Sequence, residues 1–251
     1  MIKETSTNGN PNTVMGNHFG KNGYIMTQCS VQEQCKPIEK FSAYIAENYM
    51  ELYDFFKALK KAMSAPNEDG KRVFNYQLSN DEKKNKLARE IASKFYSYGV
   101  FSEYQAGKKM LFGEITPLPR AMQFINDYWA EIYSRSVLCK VVKEYAESRN
   151  LPYHILSKVE LVKNRDVFRV DYCFTVGDKL YMADVKFGNK NTDYYALHKK
   201  GVELGIVPDH YLVLNTALFD TDQADALEFF YEMYICSTLT YADKLREMIS
   251  R

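Results

Sequence analysis

Two neighbouring segments in the second half of the chain carry the residue types that favour β-strands. Residues 167–176 and 180–187 are rich in β-branched and aromatic side chains. Gly177 and Asp178 lie between them and match the glycine-first loop of a tight hairpin. The pattern therefore predicts an antiparallel hairpin, and counting outward from its loop places Asp171 opposite Asp184.

Alternation along the two strands assigns their side chains to opposite faces. One face is apolar and is predicted to pack on the core; it comprises Val170, Tyr172, Phe174, Val176, Tyr181, Ala183, Val185 and Phe187. The other face gathers Asp171 and Asp184, with Lys186 two residues further along. We therefore expect a sheet that buries one side and carries two carboxylates and an ammonium group on the other.

Apolar residues at helical spacing predict the other main elements. Helices are expected over residues 37–65, 81–98 and 127–145, between the hairpin and an apolar strand at 211–214, and from about 223 toward the last residue. Short strands are expected within 23–31 and on both sides of a turn at 106–108. This order of helices and strands predicts an α/β protein.

Composition and proline positions divide the chain into three predicted parts. Residues 1–36 are rich in Asn, Gly, Ser and Thr and are predicted to be a flexible segment, with the first twenty disordered. Residues 37–118 are predicted to form a mainly helical domain whose helices and hairpin resemble a winged helix. Two prolines within 116–120 suggest a hinge before a third part, residues 119–251.

Bulk composition indicates a cytoplasmic protein with no membrane segment. The chain has 251 residues, of which 46% are hydrophobic, so it can bury a sizeable core. No apolar run approaches the ~20 residues that a membrane-spanning helix needs, and the first residues carry no apolar signal core. An odd number of cysteines, five at irregular spacing, favours reduced thiols. The net charge of +1 means that any surface for nucleic acid must be local.

The paired carboxylates are the main candidate for chemistry. Like charges placed directly opposite each other destabilise a sheet, so Asp171 and Asp184 must share a proton, lie in solvent or bind a divalent cation. A solvated outer face is the simplest of these interpretations. The tripeptide Asp184-Val185-Lys186 also suits metal-assisted phosphodiester cleavage, because carboxylates can hold a hard cation and a lysine can orient a water.

These residues resemble the core of the PD-(D/E)XK nuclease superfamily. Asp171 matches the first acid of its motif and Asp184-Val185-Lys186 the second part, while Val170 stands where the family has proline. Glu131, within a mostly apolar helical row, matches the glutamate of the preceding helix. The run Trp129-Ala130-Glu131 is similar to the nuclease domain of CRISPR ancillary nucleases activated by cyclic oligonucleotides. The resemblance spans roughly residues 120–236.

The resemblance implies a restriction-endonuclease-like core, a mixed central sheet flanked by helices, that cleaves with Mg²⁺ or Mn²⁺. It implies that Glu131, Asp171 and Asp184 hold the metal together with the backbone carbonyl of Val185, and that Lys186 positions the attacking water. Many members of the superfamily dimerise to cut two strands, so it also implies a homodimer. Glu144 and Glu147 are the alternatives to Glu131 as the helical glutamate. They lie nearer the helix end and are expected to be solvated.

Basic residues of the predicted helical domain form a candidate nucleic-acid surface. The set expected to contact phosphates is Lys83, Lys84, Lys86, Arg89, Lys108, Lys109 and, after the second strand of the predicted hairpin, Lys190. Lys199 and Lys200 are further candidates for phosphate contact. A solvated helix face with an exposed turn is an equally good interpretation of the helical set.

The sequence therefore predicts a Mg²⁺- or Mn²⁺-dependent endonuclease that acts on DNA or RNA, with a role in defence. A non-catalytic module of the same fold, binding nucleic acid or a protein partner, is the alternative. The ancillary nucleases carry a separate domain for a signalling nucleotide. The first 120 residues show no alternation of strands and helices of that kind, so the sequence does not predict such a ligand.

Overall fold

The structure, a computed structural model, describes residues 11–30, 35–187 and 192–251. Two compact units make up the chain. One consists of Pro37–Tyr133, and the other joins the described residues before Pro37 to Ser134–Arg251. The step from one unit to the other thus falls within a helix at Tyr133 and Ser134, and not at the proline-rich stretch 116–120.

The two units together contain nine α-helices and nine β-strands among the residues that the structure describes. In chain order they are α1 (Pro11–Gly20), β1 (Ile25–Ser30), α2 (Lys36–Glu47), α3 (Tyr49–Ser64), β2 (Arg72–Gln77), α4 (Glu82–Ser97), β3 (Phe101–Ala106), β4 (Met110–Ile115), α5 (Pro119–Gln123), a π-helical stretch (Phe124–Tyr128), α6 (Trp129–Ser148), β5 (Tyr153–Lys163), β6 (Asp166–Val176), β7 (Lys179–Lys186), α7 (Tyr194–Glu203), a 3₁₀ turn (Pro208–His210), β8 (Tyr211–Asn215), α8 (Thr221–Tyr231), β9 (Tyr234–Cys236) and α9 (Tyr241–Ser250). None of the described helices combines the length and the apolar character that crossing a membrane requires.

The larger unit is built on a six-stranded mixed sheet in the order β1-β5-β6-β7-β8-β9. The pairs β1–β5, β5–β6 and β6–β7 are antiparallel, whereas β7–β8 and β8–β9 are parallel. One core cluster joins Phe19 of α1 and Leu197 of α7 to Met182 of the sheet. Elsewhere in the unit, Tyr172 of β6 shares a hydrogen bond with Ser134 of α6, with 3.0 Å between the hydroxyl oxygens. The predicted mixed sheet flanked by helices is therefore confirmed.

The first described residues are ordered parts of this unit. Met15 and Phe19 of α1 are buried, with 0% and 1% of their surfaces exposed. β1, which confirms the short strand expected within 23–31, pairs with β5. The predicted disorder of the first twenty residues is therefore wrong for 11–20, because two large apolar side chains outweigh the polar composition around them. Residues 1–10 lie outside the described part.

The unit Pro37–Tyr133 holds a three-stranded antiparallel sheet in the order β2-β4-β3. The helix expected over 81–98 is present as α4, capped by the Asp81 carboxylate, and β3 and β4 form the hairpin expected around 106–108. The helix expected over 37–65 is two helices that meet at Asn48. β2 was not predicted from the sequence. A winged-helix identity stays a prediction.

Candidate active site in the β6–β7 hairpin

The hairpin has the register that the sequence predicts. Val176 pairs with Lys179 and Tyr172 pairs with Ala183, so the loop is Gly177-Asp178. Gly177 has a φ of +63°, a left-handed conformation that glycine adopts at no steric cost. Continuing the same register one step beyond Tyr172 and Ala183 places Asp171 beside Asp184.

The two aspartates bind each other's strands through side chain and backbone. One carboxylate oxygen of Asp184, Oδ1, accepts from the backbone N–H of Asp171 at 3.0 Å. In return Oδ2 of Asp171 accepts from the backbone N–H of Val185 at 2.8 Å. Each carboxylate thus takes a backbone donor of the neighbouring strand, and this reciprocal arrangement fixes both side chains at the end of the β6–β7 ladder.

Strand alternation is interrupted next to Asp171. β5 and β6 pair at Ser157–Tyr172 and at Val159–Val170, and between these pairs Lys158 has a φ of +50°. Val170 belongs to the core cluster that contains Cys173. Cys173 follows Tyr172 in the strand and therefore lies on the opposite face of the sheet. The prediction that Val170 shares a face with Tyr172 is therefore wrong, because the irregularity at Lys158 shifts the alternation by one residue.

The face with the carboxylates is buried, so the expectation of a sheet with one open side is wrong. Cys173 and Met182 on this face are fully buried, and Asp184 is only 1% exposed. Asp171 is half-buried. The physical reason is the cover by α1 and α7, whose apolar residues pack in the same cluster as Cys173 and Met182. Asp184 therefore does not lie in solvent, and the solvated-face interpretation fails for it.

Two hydrogen-bond donors and a further ammonium group surround the Asp184 carboxylate. Oδ2 accepts from Nζ of Lys200 at 2.5 Å and from the hydroxyl of Tyr211 at 2.6 Å. Nζ of Lys186 lies 3.8 Å from the same oxygen. We call Asp171, Asp184, Lys186, Lys200 and Tyr211 the Asp184 cluster. If both carboxylates are ionised, their two charges balance those of the two lysines.

The sequence did not assign Lys200 and Tyr211 to this site. Lys200 was considered only as one of several lysines that could contact phosphate. It lies on α7 and Tyr211 is the first residue of β8, both beyond the hairpin. The available signal was the helix predicted between the hairpin and the apolar strand at 211–214, since a crossover helix returns over the sheet and brings its inner side chains onto the strands before it.

The surroundings shift the pKa values of the two aspartates in opposite directions. Burial, and then the neighbouring charge of Asp184, raise the pKa of Asp171 to about 6. Burial alone would also raise the pKa of Asp184, but the Lys200 and Lys186 ammonium groups outweigh it and hold that pKa below its ordinary value. Burial raises the pKa of the Tyr211 hydroxyl well above its ordinary value. At neutral pH Asp184 is therefore an ionised acceptor and Tyr211 a neutral donor.

The raised pKa of Asp171 gives a pH-dependent prediction for stability without metal. The folded-state pKa of Asp171 is about 6, above the ordinary value of 3.8. Ionisation of this side chain therefore destabilises the folded state, and the destabilisation grows as pH rises from the lower value to the higher. The gain in the free energy of unfolding caused by Asp171→Asn is therefore expected to be about 1–3 kcal/mol larger at pH 8 than at pH 4. Urea unfolding in EDTA at both pH values measures the difference. A gain that is equal at both pH values would contradict the prediction.

The donor atoms of the hairpin fit a hard divalent cation. Mg²⁺ keeps several waters and is often bound by one or two carboxylates together with substrate phosphates. Asp171 and Asp184 supply two carboxylates, and the carbonyl of Val185 is an oxygen donor beside them. No group of three or more His, Cys, Asp and Glu side chains occurs among the residues that the structure describes. A Mg²⁺ ion held by two carboxylates and a carbonyl would take its remaining ligands from water or substrate.

The predicted third carboxylate, Glu131, lies in the first turn of α6, directly after the π-helical stretch. It is half-buried and belongs to the unit Pro37–Tyr133. Its place at the metal site stays a prediction. Glu144 and Glu147 are exposed and pair with Lys140 and Lys143 along the helix, as solvated side chains do.

The predicted basic residues of α4 and the β3–β4 hairpin differ in their surroundings. The Arg89 guanidinium donates to the carbonyls of Gly107 and Lys108 at 2.7 and 3.3 Å, so it fixes the hairpin tip beside α4. Lys83 pairs with Glu51. The other members of the set are exposed or half-buried: Lys84, Lys86, Lys108 and Lys109. Lys190 lies outside the described residues.

Comparison with known proteins shows the fold. No protein-family model and no curated protein sequence matches the chain. Among solved structures it is similar to protein VC1899 from Vibrio cholerae, with a TM-score of 0.64, and to Can2 from Sulfobacillus thermosulfidooxidans in complex with cyclic tetra-adenylate, with a TM-score of 0.63. Both are 13% identical to this chain, and the match covers 94% of this chain and 60% of each of theirs. The chain therefore shares their fold over about 60% of their length.

Proposed function

We propose that the chain is a metal-dependent endonuclease of the restriction-endonuclease-like class, which hydrolyses phosphodiester bonds in DNA or RNA. The observation that carries this proposal is the Asp184 cluster, where a register-locked hairpin places two carboxylates and a lysine together at the end of a strand. Such a set supplies acidic ligands for a cation and an ammonium group for the reacting phosphate.

Each residue of the cluster has a role in this proposal. Asp171, Asp184 and the carbonyl of Val185 would hold Mg²⁺ or Mn²⁺, with Glu131 as a further ligand. The cation would supply Lewis-acid activation of the phosphate and of a water. Lys186 is the member suited to contact water, because 32% of its side chain is exposed against 16% for Lys200. Its ammonium group would orient the attacking water and stabilise charge that develops on phosphate oxygens.

The structural likeness supports a nucleotide polymer as the partner class. Can2 was solved with cyclic tetra-adenylate, so one protein of this fold binds a chain of nucleotides closed into a ring. The proposal also includes a homodimer and a role in defence, both implied by the resemblance, and a cytoplasmic location, which the composition indicates. A protein partner is a further part of the proposal.

The hydrogen bonds that Asp184 already accepts favour a second candidate function, a non-catalytic binding module. Its Oδ2 atom already accepts from Lys200 and Tyr211, and a self-neutralised buried cluster of this kind can be purely structural. Such a protein would keep the fold and a nucleic-acid or protein partner without hydrolysis.

A cleavage assay separates the two candidates. The full chain is incubated with circular and linear, single- and double-stranded DNA and RNA in Mg²⁺, Mn²⁺ or EDTA. The nuclease proposal expects cleavage of at least one substrate with a divalent cation and none in EDTA. Binding without cleavage of any substrate under any metal condition would favour the non-catalytic module.

Lys108 and Lys109 at the tip of the β3–β4 hairpin give a prediction for nucleic-acid affinity. The double variant Lys108→Ala/Lys109→Ala is expected to weaken binding about equally for different sequences. The slope of log affinity against log salt should fall by roughly 1–2, because two phosphate contacts are lost. Fluorescence anisotropy at several salt concentrations measures both. Lys140→Ala/Lys143→Ala, which removes two exposed lysines of α6, is the matched control, and equal losses in both variants would contradict the prediction.

A further inference from the structure

Lys200 binds two strands of the hairpin at once. Its ammonium group donates to Oδ2 of Asp184 at 2.5 Å and to the backbone carbonyl of Arg169 at 2.6 Å. An ammonium group has three donors, and two of them are therefore committed to β6 and β7. The side chain is only 16% exposed. Lys200 thus belongs to the interior of the candidate site, unlike the neighbouring Lys199, whose side chain is 64% exposed.

A divalent cation that binds Asp184 would compete with Lys200. The same atom, Oδ2, accepts from Lys200 and Tyr211, and a carboxylate oxygen offers about two lone-pair directions. Tyr211 is a rigid side chain, 1% exposed, at the start of β8. Lys200 ends a flexible four-carbon chain. Of the two donors, Lys200 is the one that can move away.

The charges of the site lead to the same competition. Two carboxylates are balanced by the ammonium groups of Lys186 and Lys200, so a divalent cation added to this set leaves two uncompensated positive charges. Like charges about 4 Å apart repel strongly in a partly buried site. A phosphodiester brings negative charge that can pair with a displaced ammonium group.

We propose that Lys200 is an intramolecular counter-ion: it occupies the Asp184 carboxylate in the metal-free protein, is displaced by a divalent cation, and then pairs with a phosphate of the bound nucleic acid. The proposal rests on the proposed function, since it assumes that Asp184 is a metal ligand. It makes metal binding depend on nucleic acid, because the cation enters at low affinity until an anionic partner for Lys200 is present.

Binding of Mn²⁺, followed by electron paramagnetic resonance, tests this coupling without a measurement of cleavage. Lys200→Met is expected to bind Mn²⁺ on the order of tenfold more tightly than the parent protein when nucleic acid is absent, because the competing charge is removed. Lys199→Met, one position away, is the control and should match the Mn²⁺ affinity of the parent when nucleic acid is absent. A phosphorothioate oligonucleotide should tighten Mn²⁺ binding in the parent and have a clearly smaller effect in Lys200→Met. Unchanged or weaker Mn²⁺ binding by Lys200→Met would overturn the proposal.

Loss of the ammonium group leaves Asp184 buried without its closest partner, so Lys200→Met can lower stability. Lys200→Gln keeps a hydrogen-bond donor without the charge and serves as a second variant, with the same expected gain. If both variants unfold in EDTA, Mn²⁺ should restore the folded state, and failure to restore it would overturn the proposal. Tighter Mn²⁺ binding without cleavage of any substrate would reject the nuclease but support the counter-ion. Cleavage by the parent with unchanged Mn²⁺ binding by the variants would support the nuclease and reject the counter-ion.

Discussion

Asp184→Asn is expected to reduce phosphodiester cleavage by a factor on the order of 10³, because an amide would replace the ionised ligand of the proposed catalytic cation. Metal activation of a phosphate and a water accounts for several kcal/mol of transition-state stabilisation, and each 1.36 kcal/mol is a factor of ten in rate. Asp184 is the more important of the two aspartates here, since its lysine neighbours hold its pKa low and keep it ionised. Initial rates at saturating Mg²⁺ measure the loss.

Asparagine is the informative substitution at this position. It keeps the shape of the side chain and an oxygen that can accept from the backbone N–H of Asp171. Alanine would leave the partly buried Lys200 and the Tyr211 hydroxyl without their acceptor, and breaking a buried ion pair costs about 3–5 kcal/mol. A loss of activity in Asp184→Ala would therefore mix chemistry with unfolding.

Asp178→Asn in the exposed loop of the same hairpin is the matched control. It makes the same chemical change on an exposed residue away from the cluster and should leave the cleavage rate unaltered. If Asp184→Asn cleaved at the parent rate while its circular dichroism matched that of the parent, Asp184 would not be a metal ligand of the reaction.

Lys186→Met is expected to lower kcat by a factor on the order of 10²–10³, with only a small effect on stability and on substrate binding. The ammonium group would act on charge that develops in the transition state, and removing one such donor costs about this much. Its Nζ atom lies 3.8 Å from Oδ2 of Asp184 and its side chain is partly exposed, so its loss leaves the pair of Lys200 and Asp184 intact in the metal-free protein. Steady-state kinetics separate the effects, since a group that acts in the transition state changes kcat and leaves KM nearly unaltered.

Lys179→Met, at the other end of the same strand, is the control for the loss of an exposed positive charge. It is expected to have little effect on kcat. A rise in KM with unchanged kcat in Lys186→Met would show that Lys186 binds substrate without taking part in the chemical step.

The hairpin could be predicted because its signals are local. Glycine at the first loop position fixes the turn, and a side-chain period of two then determines which residues face each other. That reasoning placed Asp171 beside Asp184 correctly. It failed one residue away, at Val170, because the left-handed backbone of Lys158 belongs to another strand.

The burial of the acidic face could not be predicted, because the cover comes from distant parts of the chain. Met15 and Phe19 stand in a segment whose overall composition resembles a disordered tail, yet they pack on the sheet through α1. Lys200 reaches Asp184 from the following helix. Contacts of this kind depend on tertiary packing, which overrides local composition and pattern.

The pairing of β1 with β5 has a consequence for the order of folding. The whole unit Pro37–Tyr133 lies between these two strands in the chain. During synthesis, Ile25–Ser30 leaves the ribosome long before its partner Tyr153–Lys163 exists. The intervening unit is contiguous and can fold as it emerges. Closure of the sheet is thus a late, long-range step, which slows folding because the ends of a large loop must first meet.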